Sequence, residues 1–395
     1  MKYDFTTKID RTNRDSLKWH NMSVKKPNVG KEIVPLSTAD MEFFSPPELI
    51  RGLQEYIGNT ILGYSYKTKE YQDAVAGWMK RQHGWEIDGD WVVETQGVVN
   101  ALFVAVGCFT NPGDGVILLT PIYNPFYVAV ERSRRKMRKS SLIKDGQGID
   151  RINFEELEKL AEEPDTKLML FCNPHNPTGR VWTEEELKKV SEICLKNGVL
   201  IVSDEVHSDI IMPGYKHTTM GKVSAEQADN CIVCVSPSKT FNIAGLKTSN
   251  IIIPNNNLRD VFCRHIEEDY LSIRVNTLGY KACEIAYNNC EEWLKELLEV
   301  LAENSKFVTE YLAVHLPKVK VTRHESTYLM WLDFTEYGLS DEELTKLLEE
   351  KGDVFLEEGS HFGTEGIGWR RINIACPKEI LEEALKRMSL VLSEL

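Results

Sequence analysis

The stretch Val199-Leu200-Ile201-Val202-Ser203-Asp204-Glu205 decides the fold. Its first four residues are apolar without alternation, the mark of a strand buried on both faces. It then ends in two carboxylates, which are costly beside a buried strand unless they have a partner. Just before it, Thr183-Glu184-Glu185-Glu186 opens a helix with a capping box, and Gly198 closes it. Lys167–Cys172 upstream and Cys231-Ile232-Val233-Cys234-Val235 downstream are strands of the same kind. Trp91–Glu94, Val116–Leu119 and Ser249–Ile253 add three more, with helical runs between most of them. Buried strands alternating with helices predict an α/β fold around a mostly parallel sheet. In such sheets ligands bind at the carboxyl ends of the strands.

Outward from this block the pattern changes. The first forty-four residues are poorly periodic and read as an arm over the surface. Ser45-Pro46-Pro47-Glu48 predicts a helix start with a serine cap, a proline in the first turn and a capping-box glutamate. A second helix is expected from about Thr68 to His83, stopping at Gly84. After about Asn276 a long helical region runs to about His315. Short strands follow at Tyr328–Leu332, Val354–Glu357 and Arg371–Ala375, with helices around Ser340–Lys351 and Lys378–Leu395. That second region is of the α+β type. No internal repeat or low-complexity linker interrupts the chain.

Composition removes several function classes. The 60 acidic against 47 basic residues give a net charge of −13, which repels phosphate backbones, so no nucleic acid is expected as a partner. The short basic cluster Arg132 to Lys139 reads as a solvated helix end running into a strand. No run approaches the roughly twenty apolar residues that span a bilayer, and Met1-Lys2-Tyr3-Asp4-Phe5 lacks an apolar signal segment. A cytoplasmic protein without membrane association is expected. The nine cysteines are odd in number and scattered through apolar segments, as reduced intracellular thiols are. Cys231 and Cys234 form a C-x-x-C, but inside a strand rather than at a helix N-terminus, so the reading is structural.

The residues just past the strands carry the chemistry. Asp204 follows one strand. Asn173-Pro174-His175-Asn176-Pro177-Thr178-Gly179 follows another, a proline- and glycine-fixed loop presenting an amide. Ser236-Pro237-Ser238-Lys239 follows a third and sets a lysine among hydroxyls. Thr95-Gln96-Gly97-Val98-Val99 joins a strand to a helix, and its free amides suit an anion. Singly, each has a plain reading as a surface lysine, a helix cap or a turn. Together they suit a phosphorylated pyridine carbonyl cofactor. The lysine joins it covalently, the aspartate keeps the ring nitrogen protonated, and the asparagine meets the phenolic oxygen. The nest and hydroxyls take the phosphate, and Tyr123 stacks on the ring.

Asn173–Gly179, Ser203-Asp204-Glu205 and Ser236-Pro237-Ser238-Lys239 resemble the motifs of the class I/II aminotransferases, fold type I of the pyridoxal-phosphate enzymes. The likeness covers nearly the whole chain. It implies an aspartate-aminotransferase-like fold with a seven-stranded sheet and a homodimer with shared active sites. It further implies an arm at 1–47 joining the small domain, a cofactor-binding large domain at 48–285 and a small domain at 286–395. By the resemblance Lys239 carries pyridoxal 5′-phosphate and later serves as acid and base. Asp204 pairs with the pyridine nitrogen, Asn176 meets the phenolic oxygen and Tyr123 stacks. Val98, Val99, Ser236 and Ser238 hold the phosphate. Tyr64, in Gly63-Tyr64-Ser65-Tyr66, serves the partner subunit's phosphate, and Arg371 grips the α-carboxylate of a small amino-acid substrate.

Two positions depart from that pattern. His207 stands where the family usually has a tyrosine, and Lys247 where it usually has a phosphate-binding arginine. Lysine supplies the charge but not the fork. For His207 a role beside the cofactor and simple packing are both open. These departures, with Ser37-Thr38-Ala39-Asp40-Met41 and Ser326-Thr327-Tyr328-Leu329-Met330-Trp331, resemble the bacterial cystathionine β-lyase, or carbon–sulfur lyase, branch. That branch implies that the backbone around Ala39 and Asp40 frames the substrate carboxylate, and that the reaction is α,β-elimination from L-cysteine S-conjugates. An aminotransferase shares the same cofactor and contact residues and is the alternative. Ser236-x-x-Lys239 also matches the Ser-x-x-Lys of penicillin-binding enzymes, but no Lys-Thr-Gly accompanies it.

Overall fold

The computed structural model describes residues 1–269, 274–393 and 395. Its strands in chain order are β1 (Val92–Thr95), β2 (Gly115–Thr120), β3 (Lys136–Ser141), β4 (Ile143–Lys144), β5 (Asp150–Arg151), β6 (Thr166–Cys172), β7 (Leu200–Asp204), β8 (Cys231–Val235), β9 (Ser249–Ile252), β10 (Lys320–Val321), β11 (Leu329–Asp333), β12 (Glu357–Glu358) and β13 (Trp369–Asn373). Seven of them form one sheet in the order β1-β9-β8-β7-β6-β2-β3. Neighbours from β8 to β3 pair in parallel. β9 alone runs the other way, antiparallel to both β8 and β1. The sheet is therefore mostly parallel, and β2, β7 and β8 are buried along their whole length. A strand enclosed on both faces has no room for alternation, which is why these runs read as unbroken apolar sequence.

The six expected strands of the large sheet fall within a residue of the observed ones, Arg371–Ala375 is shifted by two from β13, and the basic cluster is a helix end, Asn124–Arg132, followed by β3. Helix Lys69–His83 is capped by Thr68 and ends on Gly84 at φ 59°, and Thr183 with Glu186 closes a true capping box. All nine cysteines are free, with Cys231 and Cys234 buried in β8.

Four expectations need correction. Helix Pro47–Asn59 starts at Pro46 without a side-chain cap. The Ser45 hydroxyl instead donates to the carbonyl of Asn242 at 3.1 Å, a tertiary bond that takes the serine from the helix end. The long helical region is two helices, Thr277–Asn289 and Glu291–His315, meeting at Cys290. Of Val354–Glu357 only Glu357 is strand, because Val354, Phe355 and Leu356 are buried as core and Phe355 accepts a bond from Leu36 rather than from a ladder neighbour. The N-terminal stretch contains one helix, Leu17–Lys25. Glu394, within the expected last helix, lies outside the described residues; that helix spans Lys378–Leu392.

A second sheet, β10-β11-β13-β12, is antiparallel throughout. It places Arg371 of β13 opposite Trp331 on one side and Glu357 on the other. No helix among the described residues is long and apolar enough to cross a membrane.

Candidate active site

Because β1, β2, β6, β7 and β8 run in one direction, the residues that follow them gather at one sheet edge. Gly97 and Val98 follow β1, Tyr123 follows β2, Asn176 follows β6, Asp204 ends β7, and Ser236 to Lys239 follow β8. With Thr38, Ala39, His207, Lys247 and Arg371 they line one cavity of about 720 Å³.

Lys239 sits on the one-turn helix Pro237–Thr240. Its amine donates to the carbonyl of Ala39 at 2.6 Å. Burial, helped by the cation of Arg371, pulls its pKa down to about 8, against the opposing pull of Asp40 and Asp204. Asp204 is buried, and its carboxylate accepts the amide of Val206 at 3.1 Å. It forms no ion pair with any described residue. Burial pushes its pKa up to about 7, and neighbouring Glu205 adds to the rise, while the Val206 amide and Lys239 oppose it. A carboxylate so placed calls for a hydrogen-bonded cationic partner.

Asn176 accepts a bond from Arg371 Nη1 at 3.0 Å, and Arg371 Nη2 reaches the carbonyl of Ser37 at 3.3 Å. Arg371 is only 3% exposed, yet among the described residues its Nε has no partner and no carboxylate lies within ion-pairing distance. A guanidinium buried this way suits a carboxylate ligand. Gly97, at φ 93°, caps helix Val98–Phe109, whose first-turn amides face no acceptor of their own helix. A Cβ on Gly97 would meet no atom within 4 Å, so the turn opens onto free space suited to an anion. Ser236 donates to the carbonyl of Thr248 at 2.5 Å and accepts from the amide of Ser238 at 3.1 Å.

Ring centroids of His207 and Tyr328 lie 5.9 Å apart, edge to face. His207 is 3% exposed, its Nδ1 has no partner, and burial holds its pKa well below the usual histidine value. It is a neutral ring at the cavity wall. Asp40 does not line the cavity; its carboxylate turns away to Lys18 at 2.9 Å and Arg11 at 3.0 Å. Tyr64 is fully exposed on the surface, outside the cavity lining.

Several residues had no site role in the sequence reading. Tyr328, quoted there only within a motif and a strand, donates to the carbonyl of Ala39 at 2.9 Å. Asn373 holds the carbonyls of Thr38 and Asp40 at 2.8 and 2.7 Å. Asn242 holds those of Met41 and Phe43 at 3.1 and 2.9 Å. Glu357, His361 and Phe362 line the cavity beside Arg371. The only sequence signal for Glu357 was a charge closing an apolar run, and Asn242 gave none.

The family described as aminotransferase class I and II matches residues 31–388. The chain is 39% identical over 390 residues to cystathionine beta-lyase PatB of Bacillus subtilis, covering 99% of this chain and 100% of that one. It is similar to the crystal structure of cystalysin from Treponema denticola, which contains pyridoxal 5′-phosphate, with a TM-score of 0.97 and 45% identity over 100% of both chains. It is also similar to the pyridoxal-phosphate-bound C-S lyase from Staphylococcus hominis, with a TM-score of 0.91 and 32% identity over 99% of this chain and 98% of that one.

Proposed function

The chain belongs to the class I and II aminotransferase family, and from that premise we propose that it is a pyridoxal-phosphate-dependent carbon–sulfur β-lyase, acting on L-cystathionine or related L-cysteine S-conjugates to give pyruvate, ammonia and a thiol. The observation that carries this reading is the single cavity where the Lys239 amine, the Asp204 carboxyl and the Arg371 guanidinium meet. The full-length likeness to lyases favours elimination over amino transfer.

The residues present fit the cofactor: a carboxyl without a cationic partner, an open amide turn and an amine of lowered pKa. When bound, pyridoxal 5′-phosphate supplies the electron sink that makes the substrate's Cα proton acidic and lets a β-thiolate leave. Lys239 anchors it. Asp204 would hold a proton at the ring nitrogen, Asn176 and Tyr123 would orient the ring, and the amides of Val98 and Val99 with Ser236, Ser238 and Lys247 would bind the phosphate. His207, a neutral ring at the cavity wall, would contribute packing to the cofactor site. Arg371 orients the substrate α-carboxylate, and the backbone around Ala39 and Asp40 frames it. With the cofactor in place, the Lys239 amine would serve as the base for the substrate's Cα proton; its lowered pKa keeps a fraction of the amine neutral near pH 7.

The sites are completed in a homodimer. Support comes from Tyr64, fully exposed and outside the lining of its own cavity, and from the exposed Ile61 and Leu62 beside it. We assign residues 1–47 to an arm, 48–285 to the cofactor domain and 286–395 to a small domain, supported by the separate four-stranded sheet. A cytoplasmic location is supported by nine unpaired thiols. Release of pyruvate and thiol from L-cystathionine tests the reaction.

A further inference from the structure

Arg371 has an anion for a neighbour. β12 pairs with β13 so that Glu357 stands directly opposite Arg371, and side chains directly opposite lie about 5 Å apart at Cβ. Both line the same cavity, with His361 and Phe362. The two do not form an ion pair. Glu357 Oε1 takes His361 Nδ1 at 2.9 Å, and no described residue bonds to its Oε2. The Arg371 guanidinium lies 4.8 Å over the Phe362 ring and keeps a free Nε. The loop bearing His361 and Phe362 is pinned where its ends meet: a Cβ on Gly359 would stand 2.0 Å from the carbonyl oxygen of Gly366. The carboxylate is thus held at the cavity wall, its side chain 24% exposed. Burial opposes its charge, but the His361 hydrogen bond and the Arg371 field keep its carboxyl below the usual range, so it is an anion at neutral pH.

Resting on the β-lyase reading, we propose that Glu357 selects the thiol half of the substrate, accepting an ammonium group there and turning away a carboxylate that has no ammonium beside it. Arg371 takes the α-carboxylate, and the thiol half extends several bonds beyond it along the cavity. The charge it meets is the free oxygen of Glu357. In a cavity partly screened from water an opposite charge is attracted and a like charge repelled more strongly than in bulk. The thiol half of L-cystathionine carries an ammonium on the same carbon as its carboxylate and is net neutral there. Dicarboxylic amino acids and 2-oxo diacids carry a second carboxylate with no ammonium beside it, so the same residue works against them.

The test uses holoenzyme and three S-conjugates: S-(2-aminoethyl)-L-cysteine, its neutral isostere S-propyl-L-cysteine, and S-(2-carboxyethyl)-L-cysteine. Two readouts are taken, kcat/KM for pyruvate release and Kd from the change in cofactor absorbance. Wild type should prefer the aminoethyl over the propyl conjugate. In Glu357→Gln that preference should fall about tenfold, the change made by about 1.4 kcal/mol, and the carboxyethyl conjugate should gain on the propyl one. Glu357→Asp should keep the order of wild type. A change in Arg371 alters all three conjugates together, so the ratios isolate the thiol half. Ratios that stay the same in Glu357→Gln, or a uniform loss on all three, overturn the proposal. If Kd ratios shift as stated but no pyruvate forms from any conjugate, the lyase reading fails and the role of Glu357 stands.

Discussion

Lys239 and Ala39, 200 residues apart in sequence, are joined by a 2.6 Å hydrogen bond from the lysine amine to the alanine carbonyl. The same carbonyl takes the Tyr328 hydroxyl at 2.9 Å. The segment Ser37–Phe43 has no helix or strand of its own, so its backbone groups are satisfied by side chains from elsewhere: Asn373, Asn242, Lys18 and Arg371. The Lys239 amine therefore rests against a loop whose position the rest of the molecule dictates.

The lowered pKa of Lys239 gives the apoprotein a pH signature. Only the neutral amine can attack a carbonyl, so the rate of cofactor attachment should rise with pH and level off above about 8, where an ordinary lysine would need a pH near 10.5. The folded state binds fewer protons than the unfolded one between those values. Lys239 therefore adds stability as pH rises through that window, and its full cost is present below pH 8. Stopped-flow absorbance of attachment checks the rate. A plateau only above pH 10 would contradict the assignment, as would a borohydride-reducible adduct surviving in Lys239→Ala.

Arg371 is the buried fork of the site, and lysine in its place keeps the charge without the two parallel bonds. Breaking such a pair costs about 3–5 kcal/mol, so Arg371→Lys should lower kcat/KM by about a hundredfold or more. Steady-state kinetics with L-cystathionine measure it. Near-normal efficiency would place the carboxylate site elsewhere.

Lys18 is 1% exposed and lies between Asp40 at 2.9 Å and Glu42 at 2.6 Å. Glu42 also holds Arg11 at 3.0 Å and Trp19 Nε1 at 3.2 Å. Lys18→Met would leave those carboxylates short of a cation, at a cost of about 3–5 kcal/mol, and should lower the thermal midpoint clearly. An unchanged midpoint would mean that Arg11 alone holds the loop.

The strand-end residues were legible in the sequence because buried parallel strands are apolar runs, and the polar residues just after each run mark the site edge. Asp204, Asn176 and Lys239 each lie within four residues of such an end. Residues that meet only through long-range contacts gave no such mark. Asn373 reaches Thr38 across 335 positions, and Asn242 reaches Met41 across 201. Glu357 read as part of a strand because three core residues precede it, yet only its pairing with Arg371 gives it a role. Ser45 failed as a helix cap for a related reason: a distant carbonyl took its hydroxyl.

Tyr64 and its apolar neighbours should be covered by a second copy of the chain. Sedimentation of the holoenzyme should show a dimer at assay concentrations, and Tyr64→Ala should weaken cofactor retention in that dimer. A fully active monomer would contradict the shared-site reading.

The central claim is the reaction, and one assay separates it from its rival. Holoenzyme is mixed with L-cystathionine, with and without 2-oxoglutarate, and pyruvate, free thiol and glutamate are measured together. Pyruvate and thiol are expected in equal amounts, independent of the oxo acid, with little glutamate. Fast glutamate formation that requires 2-oxoglutarate, with no pyruvate or thiol released, would show an aminotransferase instead.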